Sequence, residues 1–212
     1  GCTAILKPAP DTPWSATHLG KILAQTDLPA GVLNIVASSD HMVGEALSTD
    51  PRIDLVTFTG STATGKRIMS CAADTVKKVF LELGGKSASI VLEDANFDAV
   101  LPQAAMTCVH GGQGCAITTR WLVPRSRYEE ALGILEKAFS GWNFGDPTDP
   151  GNMQGPQVSK RQQERVLAYI EKGKAEGARL VCGGEAGSTE ADHAQCHGAV
   201  RHRRHAVRRP CA

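Results

Sequence analysis

Short apolar runs and longer amphipathic segments alternate along the chain up to about residue 184. Runs rich in β-branched and other apolar residues predict strands, at 3–6, 32–36, 53–58, 76–83, 89–92, 121–123 and 179–181. Segments in which apolar residues recur at helical spacing predict helices, at 14–23, 42–47, 63–73, 97–109, 128–139 and 160–177. Strands that alternate with helices through short connections indicate an α/β fold with a largely parallel sheet.

The alternating pattern stops at residue 185. Residues 185–212 hold no Leu, Ile, Phe, Met, Trp or Tyr, but they hold four of the seven histidines and five arginines. A segment with so little apolar surface cannot offset its loss of conformational entropy, so we expect this tail to be disordered. Three alternatives stay open, namely a basic arm for nucleic acid, a metal site, and a segment translated out of frame. The candidate metal ligands are His193, Cys196, His197 and His202.

Composition and charge narrow the class of protein. A hydrophobic fraction of 42% is typical of a soluble globular protein, and no segment approaches the roughly 20 apolar residues of a membrane-spanning helix. The formal net charge of +1 gives no support for nucleic acid as a partner of the whole chain. The seven cysteines form no CxxC motif, which indicates reduced thiols in a cytoplasmic protein. Because the sequence opens without Met on an apolar run, we expect it to start inside a larger domain.

A first candidate site is the sequence FTGSTATG at 58–65, where a predicted strand runs into a predicted helix through small residues. Backbone N–H groups and the dipole at a helix N-terminus suit a phosphate group. The alternative is a tight strand-to-helix turn without a ligand.

A second candidate is the sequence LELGGK at 81–86. Glu82 lies near the end of a predicted apolar strand, where burial of its carboxylate costs free energy unless the group has a functional role or a binding partner. The two glycines that follow let the backbone turn sharply beside it. The alternative is an exposed acid in an ordinary strand-to-turn connection.

A third candidate is the sequence GGQGC at 111–115. A thiol on a glycine-rich turn is accessible, and the backbone N–H groups beside it can bind an oxyanion. Cys115 is therefore a candidate nucleophile. The alternative for any cysteine is a small buried hydrophobe, which is our interpretation of Cys71, Cys108 and Cys182.

In their order and separation, these three segments closely resemble the NAD(P)-dependent aldehyde dehydrogenase superfamily. The flanking sequences LKPA, PAGVLN and FGDP are similar too, and the resemblance covers about residues 1–184. It implies an aldehyde-dehydrogenase-like α/β fold that comprises a partial Rossmann-type cofactor domain and a partial α/β catalytic domain. Residues 1–82 would be the C-terminal part of the NAD(P)-binding domain, residues 83–184 the first part of the catalytic domain, and residues 185–212 a separate tail.

The resemblance implies cofactor-binding roles for four residues. Lys7 would lie beside the adenosine ribose, Gly60 and Ser61 at the pyrophosphate, and the backbone of Leu83 against the nicotinamide. The cofactor is NAD or NADP, with NAD as the first expectation. Pro10 stands where family members that prefer NAD often have Glu, so the preference stays open. No metal ion is implied.

The resemblance also implies the catalytic residues of an oxidoreductase. Cys115 would attack the aldehyde to give a thiohemiacetal, hydride would pass to the nicotinamide, and a water activated by Glu82 would release the acid from the resulting thioester. A covalent intermediate divides one difficult step into two easier ones, a carboxylate can take the proton, and the cofactor carries the hydride. The partner is a small-molecule aldehyde, and full-length members of the family are homo-oligomers.

Two alternatives to a working enzyme stay open. The family's oxyanion-binding Asn lies upstream of the matched segments, and the Glu of its Glu-x-Phe-Gly-Pro segment, which holds the nicotinamide ribose, lies downstream. The first alternative is therefore that the chain is a truncated, inactive remnant of such an enzyme. The second alternative is nucleic-acid binding through the basic tail, against which the near-neutral charge and the lack of aromatic residues among the arginines count.

Overall fold

The computed structural model describes residues 1–186 and the backbone of residues 198–201. The chain divides into two compact units, Gly1–Gly84 (unit 1) and Gly85–Ala212 (unit 2). The division falls between the two glycines of the 81–86 segment, where the sequence predicts that a strand ends. Within the described ranges, no helix has the length and apolar character that crossing a membrane requires.

Unit 1 alternates strands and helices throughout. Its elements are β1 (Ala4–Leu6), α1 (Trp14–Leu23), β2 (Leu33–Ile35), α2 (His41–Thr49), β3 (Leu55–Gly60), α3 (Thr62–Ala73) and β4 (Lys78–Leu83). Strand β1 pairs in parallel with β2, and β3 pairs in parallel with β4. The predicted order of elements and the parallel pairing are therefore confirmed in this unit.

Helix caps and one ion pair fix the helices of unit 1. Asp40 caps α2 and Ser61 caps α3, because each side chain accepts a hydrogen bond from a backbone N–H of the first turn. Glu45 on α2 forms an ion pair with Arg67 on α3, and this guanidinium holds the pKa of the Glu45 carboxyl below its ordinary value. The inner face of α3 is buried at Gly65, Ile68, Cys71 and Ala72.

Unit 2 contains one parallel and one antiparallel pair of strands. Its regular elements are β5 (Ala88–Ile90), α4 (Phe97–Val100), β6 (Arg120–Leu122), α5 (Tyr128–Ser140), α6 (Lys160–Ala175), β7 (Arg179–Gly183) and β8 (Gly198–Arg201). Two 3-10 helices, Leu101–Gly112 and Arg125–Arg127, follow α4 and β6 respectively. Strand β5 pairs in parallel with β6, and β7 pairs antiparallel with β8.

The core of unit 2 forms between α5 and the helical segment that follows β5. Its buried members are Val91, Phe97, Leu101 and Ala131. The Phe97 side chain is 1% exposed, and the guanidinium carbon of Arg127 lies 3.6 Å from the centroid of its ring. Arg127 also donates hydrogen bonds to the backbone carbonyls of Glu93 and Ala95, both at 3.0 Å. Arg127 therefore ties the chain before α4 to the start of α5.

The helix predicted at 97–109 has a different form in the structure. The α-helix ends at Val100, and the chain continues as the 3-10 helix Leu101–Gly112, whose backbone departs from helical geometry at Val109, His110 and Gly111. Pro102 explains the change, because proline has no N–H for the carbonyl four residues earlier and its ring crowds that carbonyl. The tighter 3-10 geometry takes over from there.

One stretch of the tail departs from the disorder that we expected for residues 185–212. Gly198–Arg201 forms β8, which pairs with β7. Strand pairing uses backbone N–H and C=O groups, so it does not need the apolar side chains whose scarcity led to that expectation. The candidate metal ligands of the tail lie outside the described residues, at His193, Cys196, His197 and His202.

Candidate active site

The glycine-rich segment at 111–115 forms a tight reversal of the chain in unit 2. His110, Gly111 and Gly112 have φ angles of 57°, 63° and 71°, which lie in the left-handed region that glycine adopts at little steric cost. The reversal ends the 3-10 helix and brings Cys115 to the surface, where the residue is exposed. The thiol is thus accessible, as the sequence predicts.

Two glutamine side chains hold this reversal. Nε2 of Gln157 donates a hydrogen bond to the carbonyl oxygen of Gly111 (2.7 Å). Nε2 of Gln113 donates to the carbonyl oxygen of His110 (2.8 Å), and its Oε1 accepts a hydrogen bond from the backbone N–H of Val158 (3.0 Å). Sequence reasoning missed both roles, because an amide side chain next to glycines gives no signal of the residue that it will contact.

Small residues let other parts of unit 2 approach the backbone around Cys115. A Cβ on Gly114 would lie 2.5 Å from Cγ1 of Ile117, and a Cβ on Gly85 would lie 3.2 Å from the carbonyl oxygen of Cys115. The carbonyl oxygen of Lys86 accepts a hydrogen bond from Nε of Arg120 at 2.6 Å, where β6 begins. The first residues of unit 2 therefore pack against the turn that carries the thiol.

The other described cysteines differ from Cys115 in exposure. Cys71 and Cys108 are each 7% exposed, as predicted for small buried hydrophobes, whereas Cys182 is only half-buried. Burial raises the pKa of the Cys108 thiol to about 11. Cys2, near the start of unit 1, is exposed. Among the described cysteines, Cys115 alone combines exposure with a glycine-rich turn.

In unit 1, four predicted site residues meet at the ends of two neighbouring strands. The parallel register of β3 and β4 pairs Thr59 with Glu82 and Gly60 with Leu83. Ser61 follows directly and caps α3. Parallel strands that end together bring the residues after them to one edge of the sheet, which is where α/β folds bind their ligands.

The start of α3 fits a phosphate group. Helix α3 has 12 residues and carries no acidic side chain in its first turn, so an anion at this end would meet the positive end of the helix dipole without repulsion from a carboxylate. Gly65 in its second turn is buried, and a Cβ there would lie 2.8 Å from Cδ2 of Leu83. The residues present here therefore suit the pyrophosphate of a dinucleotide.

Glu82 is exposed in unit 1. Burial therefore imposes no cost on its carboxylate, and the local structure corresponds to the alternative of an exposed acid at a strand end. Glu82 belongs to unit 1 and Cys115 belongs to unit 2.

Lys7 lies just after β1, which pairs with β2 and belongs to a different sheet from β3 and β4. It is half-buried, and its Nζ donates a hydrogen bond to the carbonyl oxygen of Pro8 at 3.4 Å. A shallow cleft opens next to it, lined by residues 8–10, Pro13 and residues 37–39. In the part of the chain that the structure describes, no group of three or more His, Cys, Asp or Glu side chains is arranged to hold a metal ion.

Comparison with known sequences places this arrangement in a family. The model of the "Aldehyde dehydrogenase family" matches residues 1–199, which extends past the point where the resemblance was expected to end. Aldehyde dehydrogenase family 2 member C4 of Arabidopsis thaliana is 42% identical to the chain over 188 residues, which cover 88% of the chain and 38% of that relative.

Solved structures give the same result. The crystal structure of Mycobacterium tuberculosis aldehyde dehydrogenase with NAD+ is 43% identical, with a TM-score of 0.87, and the match covers 94% of the chain and 41% of that protein. A mutant of aldehyde dehydrogenase C from Pseudomonas syringae with NAD+ and octanal is 36% identical, with the same TM-score of 0.87 and the same coverage of both chains.

The chain thus combines parallel strand pairs, a helix start that suits a phosphate group and an exposed cysteine on a glycine-rich turn. The chain belongs to the aldehyde dehydrogenase family. It spans 38% of the length of the Arabidopsis relative and 41% of each solved relative.

Proposed function

We propose that the chain carries the cysteine chemistry of an NAD(P)-dependent oxidation of an aldehyde to a carboxylic acid. The observation that carries this proposal is the exposure of Cys115 on a reversal whose backbone is held by side-chain hydrogen bonds. A nucleophile must be both accessible to its substrate and held in one direction. Cys71 and Cys108 fail the first requirement because they are buried.

The substrate class and cofactor follow from the family and from the residues of unit 1. The Pseudomonas syringae relative holds NAD+ and octanal, and the Mycobacterium tuberculosis relative holds NAD+. The capped start of α3 at Ser61 suits the phosphates of such a cofactor. We infer NAD as the first cofactor. NADP stays the alternative because Pro10, which lines the cleft beside Lys7, stands where family members that prefer NAD often carry Glu.

Unit 1 supplies the residues for cofactor binding in this proposal. Lys7 binds the adenosine ribose, Gly60 and Ser61 bind the pyrophosphate, and the backbone of Leu83 contacts the nicotinamide. When bound, NAD(P)+ supplies the hydride acceptor, which no side chain provides. The parallel register of β3 and β4 supports three of these assignments, since it brings Gly60, Ser61 and Leu83 to one edge.

Unit 2 supplies the nucleophile. The thiolate sulfur of Cys115 forms a bond with the aldehyde carbon and gives a thiohemiacetal. Loss of hydride from that carbon, a two-electron oxidation, converts the adduct into a thioester. Backbone N–H groups beside Cys115 stabilise the negative charge that develops on the former carbonyl oxygen.

Glu82 acts as the general base. Its carboxylate takes a proton from the attacking thiol, or from the water that hydrolyses the thioester, so that the acid leaves and the thiolate is restored. The exposure of Glu82 supports this role only in that the carboxylate is accessible to water.

The direct test is NADH absorbance after the chain is mixed with NAD+ or NADP+ and a panel of short aliphatic and aromatic aldehydes. Cys115→Ala removes the proposed nucleophile, and Cys2→Ala is the matched control because Cys2 is also an exposed thiol. We expect NADH from the unaltered chain and from Cys2→Ala, and none from Cys115→Ala. No NADH from the unaltered chain would contradict the proposal and favour the inactive remnant, and equal NADH from Cys115→Ala would contradict the role of Cys115.

We infer a cytoplasmic location from the same chemistry. The nucleophile works only as a free thiol, and reducing compartments keep thiols free. Fractionation of the source cells tests this location, and recovery of the protein in an oxidising compartment would contradict it.

A further inference from the structure

The reversal before Cys115 contains one residue, His110, whose side chain disfavours the local backbone conformation. His110 has a φ of 57°, followed by two glycines that are also left-handed. An L-residue with a side chain pays a steric cost in this region that glycine escapes. Such a conformation persists where the surrounding structure enforces it, and two glutamine side chains contact the reversal at this point.

Gln157 makes the first of these contacts. Its side chain is 5% exposed, and Nε2 donates a hydrogen bond to the carbonyl oxygen of Gly111 at 2.7 Å. A Cβ on Gly111 would lie 2.7 Å from Nε2 of Gln157 and 3.2 Å from Nε2 of Gln113. Both amide groups therefore pack directly against the α-carbon of Gly111, at the centre of the reversal.

Gln113 makes the second contact and uses both ends of its amide. Its Nε2 donates to the carbonyl oxygen of His110 at 2.8 Å, and its Oε1 accepts from the backbone N–H of Val158 at 3.0 Å. Val158 adjoins Gln157 in sequence. Two adjacent residues thus donate hydrogen bonds to the reversal, Gln157 through its side-chain amide and Val158 through its backbone N–H.

The segment that carries Gln157 and Val158 is itself anchored. Phe144 and Gln154 form a parallel bridge, and the N–H of Gly145 donates to the carbonyl oxygen of Gln154 at 3.0 Å. Immediately after Val158, Ser159 caps the 16-residue helix α6. The segment that presents Gln157 to the reversal is therefore hydrogen-bonded on both sides of that residue.

We propose that Gln113 and Gln157 are positioning residues that hold the reversal and thereby set the direction of the Cys115 sulfur. The inference rests on the proposed function, because it assigns a direction to the nucleophile of that reaction. Attack on a carbonyl carbon needs close alignment, and a displacement of about 1 Å can lower the rate on the order of a hundredfold. A purely stabilising role would lower the folded fraction and leave the rate of each folded molecule unchanged.

The test replaces each glutamine with methionine, which has a similar length and no amide. The variants are Gln157→Met and Gln113→Met. The matched control is Gln103→Met, because Gln103 is exposed in the same unit and donates only a local hydrogen bond, to the carbonyl oxygen of Ala99 four residues earlier. Gln113 is also exposed, so its substitution is expected to leave the fold intact. Gln113→Met therefore tests the positioning role if Gln157→Met does not fold.

The first measurement is amide hydrogen exchange of a peptide that covers residues 108–118. Loss of a hydrogen bond that holds this segment is expected to speed its exchange by about threefold to tenfold. The second is NADH formation for each folded molecule, in which kcat is expected to fall by about tenfold to a hundredfold. The KM for NAD+ is expected to stay the same, because the proposed cofactor residues belong to unit 1. The control is expected to change neither.

The outcomes separate this inference from the proposed function. Unchanged exchange, or unchanged kcat with faster exchange, in the glutamine variants would overturn the positioning role. If the unaltered chain forms no NADH, the proposed function alone is contradicted. The positioning role is then tested by amide hydrogen exchange and by the rate at which iodoacetamide alkylates Cys115 relative to Cys2. We expect that relative rate to fall by about threefold or more in both glutamine variants, and an unchanged rate would overturn the inference.

Discussion

Gly65 and Leu83 are in contact between the first turns of α3 and the end of β4. A Cβ on Gly65 would lie 2.8 Å from Cδ2 of Leu83 and 3.0 Å from Cδ1. This contact joins the helix start that suits a phosphate to the strand end that holds Glu82. The absence of a side chain at Gly65 therefore lets the two proposed parts of the cofactor site approach each other.

We predict that Gly65→Ala destabilises unit 1, because the new methyl group displaces the Leu83 side chain from its position. Overpacking of this kind costs roughly 1–3 kcal/mol, and the higher helix propensity of alanine offsets about 1 kcal/mol of it. The net fall in the free energy of unfolding, measured in urea titrations, is therefore expected to reach about 2 kcal/mol at most. Binding of NAD+, measured by calorimetry, is expected to weaken as well.

Gly44→Ala is the matched control, since Gly44 lies in α2 and no atom stands within 4 Å of a Cβ placed there. Alanine at an open helical position raises stability by about 0.5–1 kcal/mol. The two substitutions are therefore expected to have opposite signs. Equal effects would show that the contact between Gly65 and Leu83 does not limit the packing of α3.

We predict that Arg127→Met destabilises unit 2 by about 1–3 kcal/mol, because it leaves two backbone carbonyls without their donor and removes the cation above the Phe97 ring. Urea unfolding measures the loss. Arg125→Met, at an exposed position two residues earlier, is expected to stay within about 0.5 kcal/mol of the unaltered chain. A similar loss in both variants would contradict the bridging role of Arg127.

We predict a pH dependence of stability that comes from Cys108. Burial raises the pKa of this thiol from 9.0 to about 11 in the folded protein, so the folded state keeps its proton at pH values where the unfolded chain has lost it. The stability that comes from the protonated Cys108 thiol is fully present below about pH 9. As the pH rises to about 11, the free energy of unfolding falls by about 2–3 kcal/mol.

Cys108→Ala removes that titration and leaves all other groups in place. The free energy of unfolding, measured in urea at a series of pH values from 8 to 11, is therefore expected to fall less steeply in the variant than in the unaltered chain. Parallel pH profiles would contradict the assignment of a raised pKa to Cys108.

Unit 1 shows how much of the fold and of the candidate site could be predicted from the sequence. The apolar runs at 53–58 and 76–83 identified β3 and β4, and consecutive strands joined by a helix pair in parallel. Once they do, Gly60, Ser61 and Leu83 have to meet at one edge of the sheet. The local pattern was sufficient to place the 58–65 and 81–86 segments at strand ends, whereas the roles of their residues were implied by the family resemblance.

The reversal before Cys115 shows what the sequence could not predict. The glycines at 111, 112 and 114 predicted a turn, but the contact between Gln157 and Gly111 joins residues that are 46 positions apart. Such a contact depends on the packing of the loop between α5 and α6, which carries no periodic signal. The 3-10 form of the helix before the reversal was missed for a different reason, because the spacing of apolar residues predicts a helix without registering the N–H that Pro102 lacks.

The central claim is that Cys115 becomes covalently acylated during aldehyde oxidation. The most direct measurement is mass spectrometry of Glu82→Gln after reaction with NAD+ and octanal, because loss of the proposed general base slows hydrolysis of the thioester and lets it accumulate. The account predicts an octanoyl adduct on the peptide that contains Cys115, which disappears when NAD+ is omitted or when Cys115→Ala is added to the variant. An adduct on another cysteine, or NADH formation without any adduct on Cys115, would contradict it.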